Sequence, residues 1–314
     1  MIQVGRSFTV GIDLSKRAVK VAATQHGRQP RFVGAAVQPL PEGVFDAGVI
    51  LDPPAAVEAL RAALRTAGLK GGQAVVGMAG RSVVVRQLTM PPMPLDELKN
   101  AIKWDAERQL PIRIEEAVLD VQVLRDITDE GQRRLEVLVA AVPERDAMLY
   151  FQIAEEAGLD VAAIEVAPLA LTRLRGVQEG STAVIDIGAA QTDVVVIHEG
   201  VPVVVRTILI GVDALEAEAT AGGTAVQELV TGITRSFDYF QTQVRGHRVE
   251  RVVVTGDAAT DPALIQTLTA ALEPPVEVGN PLIGLATDRA VPPLIAEQGP
   301  QLAVAIGLSL RAIV

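Results

Sequence analysis

The first half of the chain alternates short β-rich runs with helical periodicities. Residues 8–14, 18–24 and 31–37 are dominated by Val, Ile, Ala and Phe and are separated by turn residues, which predicts three consecutive strands. Over 53–67 the apolar Val57, Leu60 and Leu64 recur at helical spacing, with Asp52 placed to cap the helix and Gly68 to stop it. Residues 73–78 and 83–90 read as strands. Pro91-Pro92-Met93-Pro94 then breaks the chain before a helix over 95–109 that ends ahead of Pro111. The stretches 118–124 and 135–142 read as a hairpin around the polar segment 126–134, and 144–157 as a helix closed by Gly158.

On the 95–109 helix the apolar stripe runs through Leu95, Leu98, Ile102, Ala106 and Gln109. Trp104, the only Trp, falls about 180° from Leu95 at a helical period. It either docks a partner or packs under the neighbouring hairpin.

The second half restarts the pattern. Strands are predicted over 182–187, 192–197 and 202–210, a long helix over 225–244, a strand over 249–254, a helix over 262–272 and a short strand over 276–278. Residues 302–308 read as a buried helix. Ile12-Asp13-Leu14 recurs as Ile185-Asp186-Ile187, and at the same offset Gly27 is matched by Gly200. Each copy reads strand, Asp-bearing turn, strand, Gly turn, strand, so duplication of one unit is favoured over chance. Two like-built α/β domains facing a cleft are the expected architecture.

Composition narrows the function. A chain of 314 residues suits about two domains. Aromatic residues make up 3%, too few for a surface that stacks bases, and a net charge of −10 without a basic run repels phosphate polymers. Nucleic acid is therefore not an expected partner. The absence of Cys removes disulfides, thiolate metal sites and thiol catalysis. The three His (His26, His198, His247) include no pair at ligand spacing. No signal-peptide pattern or spanning apolar window is present, which makes the cytoplasm the expected compartment.

The Asp-bearing turns carry the candidate chemistry. A tight turn between strands directs successive backbone N–H groups toward one point, where they bind phosphate oxygens. Two such turns can grip a polyphosphate, while Asp13 and Asp186 hold Mg²⁺ through its water shell. The second turn, Gly188-Ala189-Ala190-Gln191-Thr192, has the small residues this requires; the first, Ser15-Lys16-Arg17, has no Gly. Lys16 either adds charge toward a phosphate or, with Arg17, solvates the hairpin tip. Each Asp also has an ordinary reading as a turn-capping carboxylate.

Val10-Gly11-Ile12-Asp13-Leu14-Ser15 and Val184-Ile185-Asp186-Ile187-Gly188-Ala189 resemble the two phosphate loops of the actin-like ATPase superfamily. Arg86-Gln87-Leu88-Thr89-Met90-Pro91, followed by Ala101-Ile102-Lys103-Trp104-Asp105-Ala106-Glu107, is similar to the segment leading into an inserted subdomain. Arg235-Ser236-Phe237-Asp238-Tyr239-Phe240 is similar to the helix near the nucleotide base, and Val252-Val253-Val254-Thr255-Gly256 to the strand and turn that cradle adenosine. Over nearly the whole chain, their order and spacing resemble the PilM family of type IV pilus assembly proteins.

The resemblance implies an actin-like two-domain α/β fold. Residues 1–78 and 144–180 would form the first domain and 79–143 an inserted α/β subdomain. Residues 181–314 would form the second domain, with a shortened outer subdomain and a C-terminal helix returning to the first. ATP with Mg²⁺ is implied at Asp13, Ser15, Lys16, Asp186, Gly188, Ala189, Gln191, Thr192 and Gly256, with Asp13 and Asp186 serving the metal. Ser15 stands where the family usually has Gly. Ala167 stands where related ATPases place a water-orienting Glu, and Glu165 lies slightly earlier. Slow or absent hydrolysis follows, with ATP mainly a structural ligand.

The implied partner is the N-terminal cytoplasmic tail of the inner-membrane protein PilN, held between the inserted subdomain and the first domain. Arg86 and Trp104 are its candidate contacts. Other pilus assembly proteins are further partners, the membrane is reached only through them, and a homo-oligomer is compatible. The competing readings are an active ATPase or small-molecule kinase of the superfamily and a filament-forming protein of the cell-division type. No kinase signature is found, and the division protein's C-terminal membrane helix has no counterpart.

Overall fold

A computed structural model describes residues 8–312, except 47, 81, 110–112, 130, 220–222 and 288–289. Strand β1 (Phe8–Leu14) turns into β2 (Ala18–Gln25) and then β3 (Arg31–Pro39), each antiparallel to the one before. The ribbon β4 (Phe45–Asp46) and β5 (Val49–Ile50) leads to helix α1 (Pro53–Thr66), where the Asp52 side chain accepts from the Ala55 N–H at 3.1 Å. β6 (Gln73–Met78) then lies parallel to β1.

β7 (Val84–Met90), α2 (Leu95–Gln109), β8 (Ala117–Asp129) and β9 (Gln132–Pro143) form a separate layer, a sheet of order β7-β9-β8 backed by α2. α3 (Glu144–Glu156) and β10 (Asp160–Val166) return to the first sheet, and α4 (Ala167–Ala170) leaves it.

β11 (Ser181–Ile187), β12 (Thr192–His198) and β13 (Val201–Ile208) repeat the antiparallel triple. α5 (Val212–Ala219), α6 (Ala225–Gln243), β14 (Arg251–Gly256), α7 (Pro262–Ala271) and β15 (Val276–Val278) complete a five-stranded sheet, β13-β12-β11-β14-β15. β16 (Ala286–Thr287) extends the first sheet to β10-β6-β1-β2-β3-β16, and α8 (Pro293–Glu297) and α9 (Ala303–Ser309) end the chain's described elements.

The two larger sheets share one plan. β1 lies between antiparallel β2 and parallel β6, and β11 between antiparallel β12 and parallel β14. Asp13 stands opposite Lys20 and Gly77; Asp186 stands opposite Asp193 and Thr255. One core joins the halves, with Val75, Leu171, Val184, Val195, Val304 and Leu308 in a single buried cluster. The wholly buried α9 lies against β1 because Gly11 has no Cβ, which would collide with the Ala305 carbonyl oxygen.

Three sequence expectations change. The 117–143 hairpin is longer than its apolar pattern, because the Arg133–Asp126 pair (2.8 Å) and the Arg125–Glu136 pair carry the ladder into the polar segment. Leu95 is 49% exposed at the start of α2, while Leu98 and Ile102 make the core contact. Gly200 has a φ of +77°, but Gly27 does not adopt a left-handed conformation, so the matched glycines share a place and not a geometry.

Candidate functional site

The first turn closes on itself. The Ser15 N–H and hydroxyl both donate to the Ala18 carbonyl, at 3.0 and 2.9 Å. In the second turn the Gly188 N–H donates to the Gln191 carbonyl at 2.9 Å, and the buried Thr192 hydroxyl donates to the Ile210 carbonyl at 2.7 Å. α5 starts against this turn, with Val212 and Asp213 N–H groups on the Gly188 and Ala189 carbonyls. Gly211 permits the approach, since a Cβ there would strike both oxygens.

A cluster of buried charge lies where the two sheets meet. Lys20 on β2 is 3% exposed, and its Nζ lies 2.7 Å from Asp257 Oδ1 and 3.9 Å from Asp13 Oδ2. Asp257 follows β14, reached through Gly256 at φ +92°, where a Cβ would collide with Ile187. Thr255 Oγ1 donates to Asp186 Oδ1 at 2.7 Å. Asp193 accepts from the Thr207 hydroxyl and from Gln191 Nε2 at 3.1 Å.

Burial dominates the electrostatics of these carboxyls. It pushes Asp186 up to about 7, against the pull of Lys20 and Thr255, and Asp193 up to about 6, against Thr207 and Gln191. It also raises Asp13, with Lys20 opposing. For Lys20, burial works against the charge, but Asp257, Asp13 and Asp186 together hold its pKa above the ordinary value. Asp257 Oδ2 is buried with no hydrogen-bond partner among the described residues. Three carboxyl groups, of Asp257, Asp13 and Asp186, thus act on one ammonium, a balance that a further cation improves. Among the described residues no three His, Asp or Glu side chains converge as a ready-made metal site.

Lys16, at the tip of the first turn, is ion-paired with the other half. Its Nζ lies 2.6 Å from Asp213 Oδ2, and Arg17 reaches Asp213 at 2.7 Å and Glu216 at 2.6 Å. The first turn is thereby clasped to α5 of the other half. Asp13, Ser15, Asp186, Gly188, Ala189, Gln191, Thr192 and Gly256 lie on the two turns or on strand ends beside them.

Arg86 is exposed on β7 and donates to the Val85 carbonyl at 2.9 Å. The side chain of Trp104 lies outside the described residues. Sequence reasoning missed Lys20, Asp193, Asp257 and Asp213. The signal for the first two was present: each is a charged residue within an otherwise apolar strand, AVKVAATQ and TDVVVIH.

Glu165 is buried and held by Arg173 and, at 2.9 Å, by Arg311. It lines a groove of about 580 Å³ between the three-stranded sheet, α3 and β10, with half-exposed Val118 and Met148 in its walls.

The family model for the type IV pilus assembly protein PilM matches residues 11–220 and 225–313. The chain belongs to the PilM family. It is thus a type IV pilus assembly protein, a reading favoured over the kinase and cell-division alternatives. Among solved structures, a PilM-PilN type IV pilus biogenesis complex matches with a TM-score of 0.84 at 26% identity, covering 98% of this chain and 99% of that one. The ethanolamine utilization protein EutJ from Carboxydothermus hydrogenoformans matches with a TM-score of 0.55 at 16% identity, over 98% and 91% of the two chains. The cytoplasmic domain of EpsL, an inner-membrane component of the Vibrio cholerae type II secretion system, matches with a TM-score of 0.52 at 11% identity, over 98% and 97%. The fold of this PilM-family chain is the actin-like α/β fold. Among the described residues, no helix is long and apolar enough to cross a membrane.

Proposed function

We propose that this PilM-family protein is a cytoplasmic adaptor of a type IV pilus machine. It captures the N-terminal cytoplasmic tail of a PilN partner and is brought to the inner membrane by it and by other assembly proteins. The observation that carries this reading is the whole-chain likeness to a chain of the PilM-PilN complex. The groove beside Glu165 is the site we assign to the tail. β8 is the outer strand of its sheet among the described residues and presents that edge to an extended peptide, and Val118 and Met148 offer apolar contact. Arg86 lies on β7, the opposite edge of that sheet, so it belongs to another surface.

Calorimetry with a synthetic cognate PilN tail tests the assignment. Binding should weaken by about tenfold or more in Met148→Glu and stay unchanged in Arg86→Ala. No binding by the wild type removes the adaptor function. Binding that Met148→Glu leaves intact removes the groove.

The same reading makes ATP with Mg²⁺ a structural ligand between the two turns. Asp13 and Asp186 would hold the hydrated ion, the 188–191 turn and Lys20 the phosphates, and Gly256 would leave room beside adenosine. Bound ATP would supply a polyanionic bridge across the two halves. Buried, apolar Ala167 cannot orient water, and Glu165 is engaged by two arginines, so turnover is slow. Millimolar Mg-ATP should raise the melting temperature, because only the native state offers the site. An unchanged melting temperature removes the nucleotide, while rapid phosphate release lost in Glu165→Gln overturns the structural role.

A further inference from the structure

The edges of two sheets approach each other along one trough. β13 is the outer strand of the five-stranded sheet and β7 the outer strand of the three-stranded one, so neither has a strand partner on that side among the described residues. The trough between them has a volume of about 410 Å³ and is lined by Val85 and Arg86 on one side and Val205 and Arg206 on the other. Arg206 and Thr207 also line a second cavity of about 410 Å³ that continues to Arg235 on α6.

The charge here opposes that of the whole chain. Arg86, Arg206 and Arg235 stand along the trough of a protein with net charge −10. Arg206 and Arg235 have no ion-pair partner among the described residues, and Arg86 meets only a carbonyl of its own strand. The carboxylate lining the same surface, Glu228, accepts from the Thr224 hydroxyl at 2.8 Å. Leu209, 53% exposed, adds apolar surface at the end of β13.

A narrow trough selects an extended backbone, valines and Leu209 select apolar side chains, and guanidinium groups without ion-pair partners select carboxylates. We propose that this trough docks an extended acidic segment of a partner protein, laid along its mouth between β7 and β13. Carboxylates of the segment pair with Arg206, Arg86 and Arg235, and its apolar side chains cover Val205 and Leu209. The trough runs along β7 and the groove along β8, the two edges of the three-stranded sheet, and Val166 lines both.

Fluorescence anisotropy of the intact protein with a labelled peptide of alternating Val and Glu tests the proposal, with a Val and Lys peptide as comparison. The acidic peptide should bind, weaken by about tenfold or more in Arg206→Glu, and weaken again at high salt. It should keep its affinity in Arg65→Glu, which makes the same charge change on the exposed face of α1. Slowed amide exchange along both 84–86 and 205–208 on binding would support docking in the trough. Equal binding of the two peptides, affinity that Arg206→Glu leaves intact, or no binding of the acidic peptide at low salt overturns it. Self-association lost in Arg206→Glu would assign the trough to a second copy and also overturns it.

Discussion

The hairpins β1–β2 and β11–β12 have one backbone and two chemistries. In each, an Asp stands next to last in the first strand and faces a buried charged residue on the second, in the same register. That residue is Lys20 in the first hairpin and Asp193 in the second. Lys20 balances Asp13 and reaches across to Asp257, so the first hairpin carries its own counter-ion. The second sets one buried carboxyl opposite another and relies on Thr255, Thr207 and Gln191 to satisfy their oxygens. A repeated fold therefore preserves where side chains project but not the charge they carry. The asymmetry gives the site a built-in cation on one wall and proton-holding carboxyls on the other.

The comparison breaks most sharply at Lys20. Lys20→Met leaves Asp13 and Asp257 without their shared ammonium and should cost about 3–5 kcal/mol in urea unfolding. A loss no larger than that of an exposed substitution would show that the carboxylates do not depend on it.

Asp193 gives an effect of opposite sign. A carboxyl whose pKa is raised on folding binds protons more tightly in the native state, so its contribution to stability falls as pH rises from its unfolded value through its folded one. Asp186 and Asp193, raised to about 7 and about 6, should therefore make the protein lose stability between about pH 4 and pH 7. Asp193→Asn should remove part of that slope and stabilise the protein by about 1–3 kcal/mol above pH 7. A slope unchanged in the variant would mean that Asp193 is ionised throughout.

The smallest effect belongs to the clasp. Lys16 and Arg17 are partly exposed, so a double-mutant cycle of Lys16→Ala with Asp213→Ala should return about 0.5–1 kcal/mol, decreasing with salt. A coupling near zero would make the clasp a solvated tip after all.

Much of this arrangement could be read from the residues. The triple-strand units, the helix Pro53–Thr66 with its Asp52 cap, and the paired Asp13 and Asp186 all announce themselves locally. β10 did not, because Asp160–Val166 mixes acidic, alanine and β-branched positions without clean alternation. α5 was missed as a short segment that is anchored by the second turn. The charge cluster was beyond reach for a different reason. Asp257 joins it only because β14 lies parallel to β11 and delivers the residue after Gly256 to Lys20 of the other half. Similarly, Asp213 meets Lys16 through docking of α5 on the second turn, a tertiary event without a local signature.

The seating of α9 on β1 has a consequence for how the molecule is made. β1 is an inner strand of its sheet, yet its face is covered by a helix from near the far end of the sequence, and that sheet's outermost strand, β16, is also late. A ribosome must therefore release the chain through Ser309 before the first half can finish its core. Contacts this distant in sequence slow the search for the native state and leave β1 exposed to wrong pairing in the interval. The polypeptide that begins folding first is among the last parts to be completed.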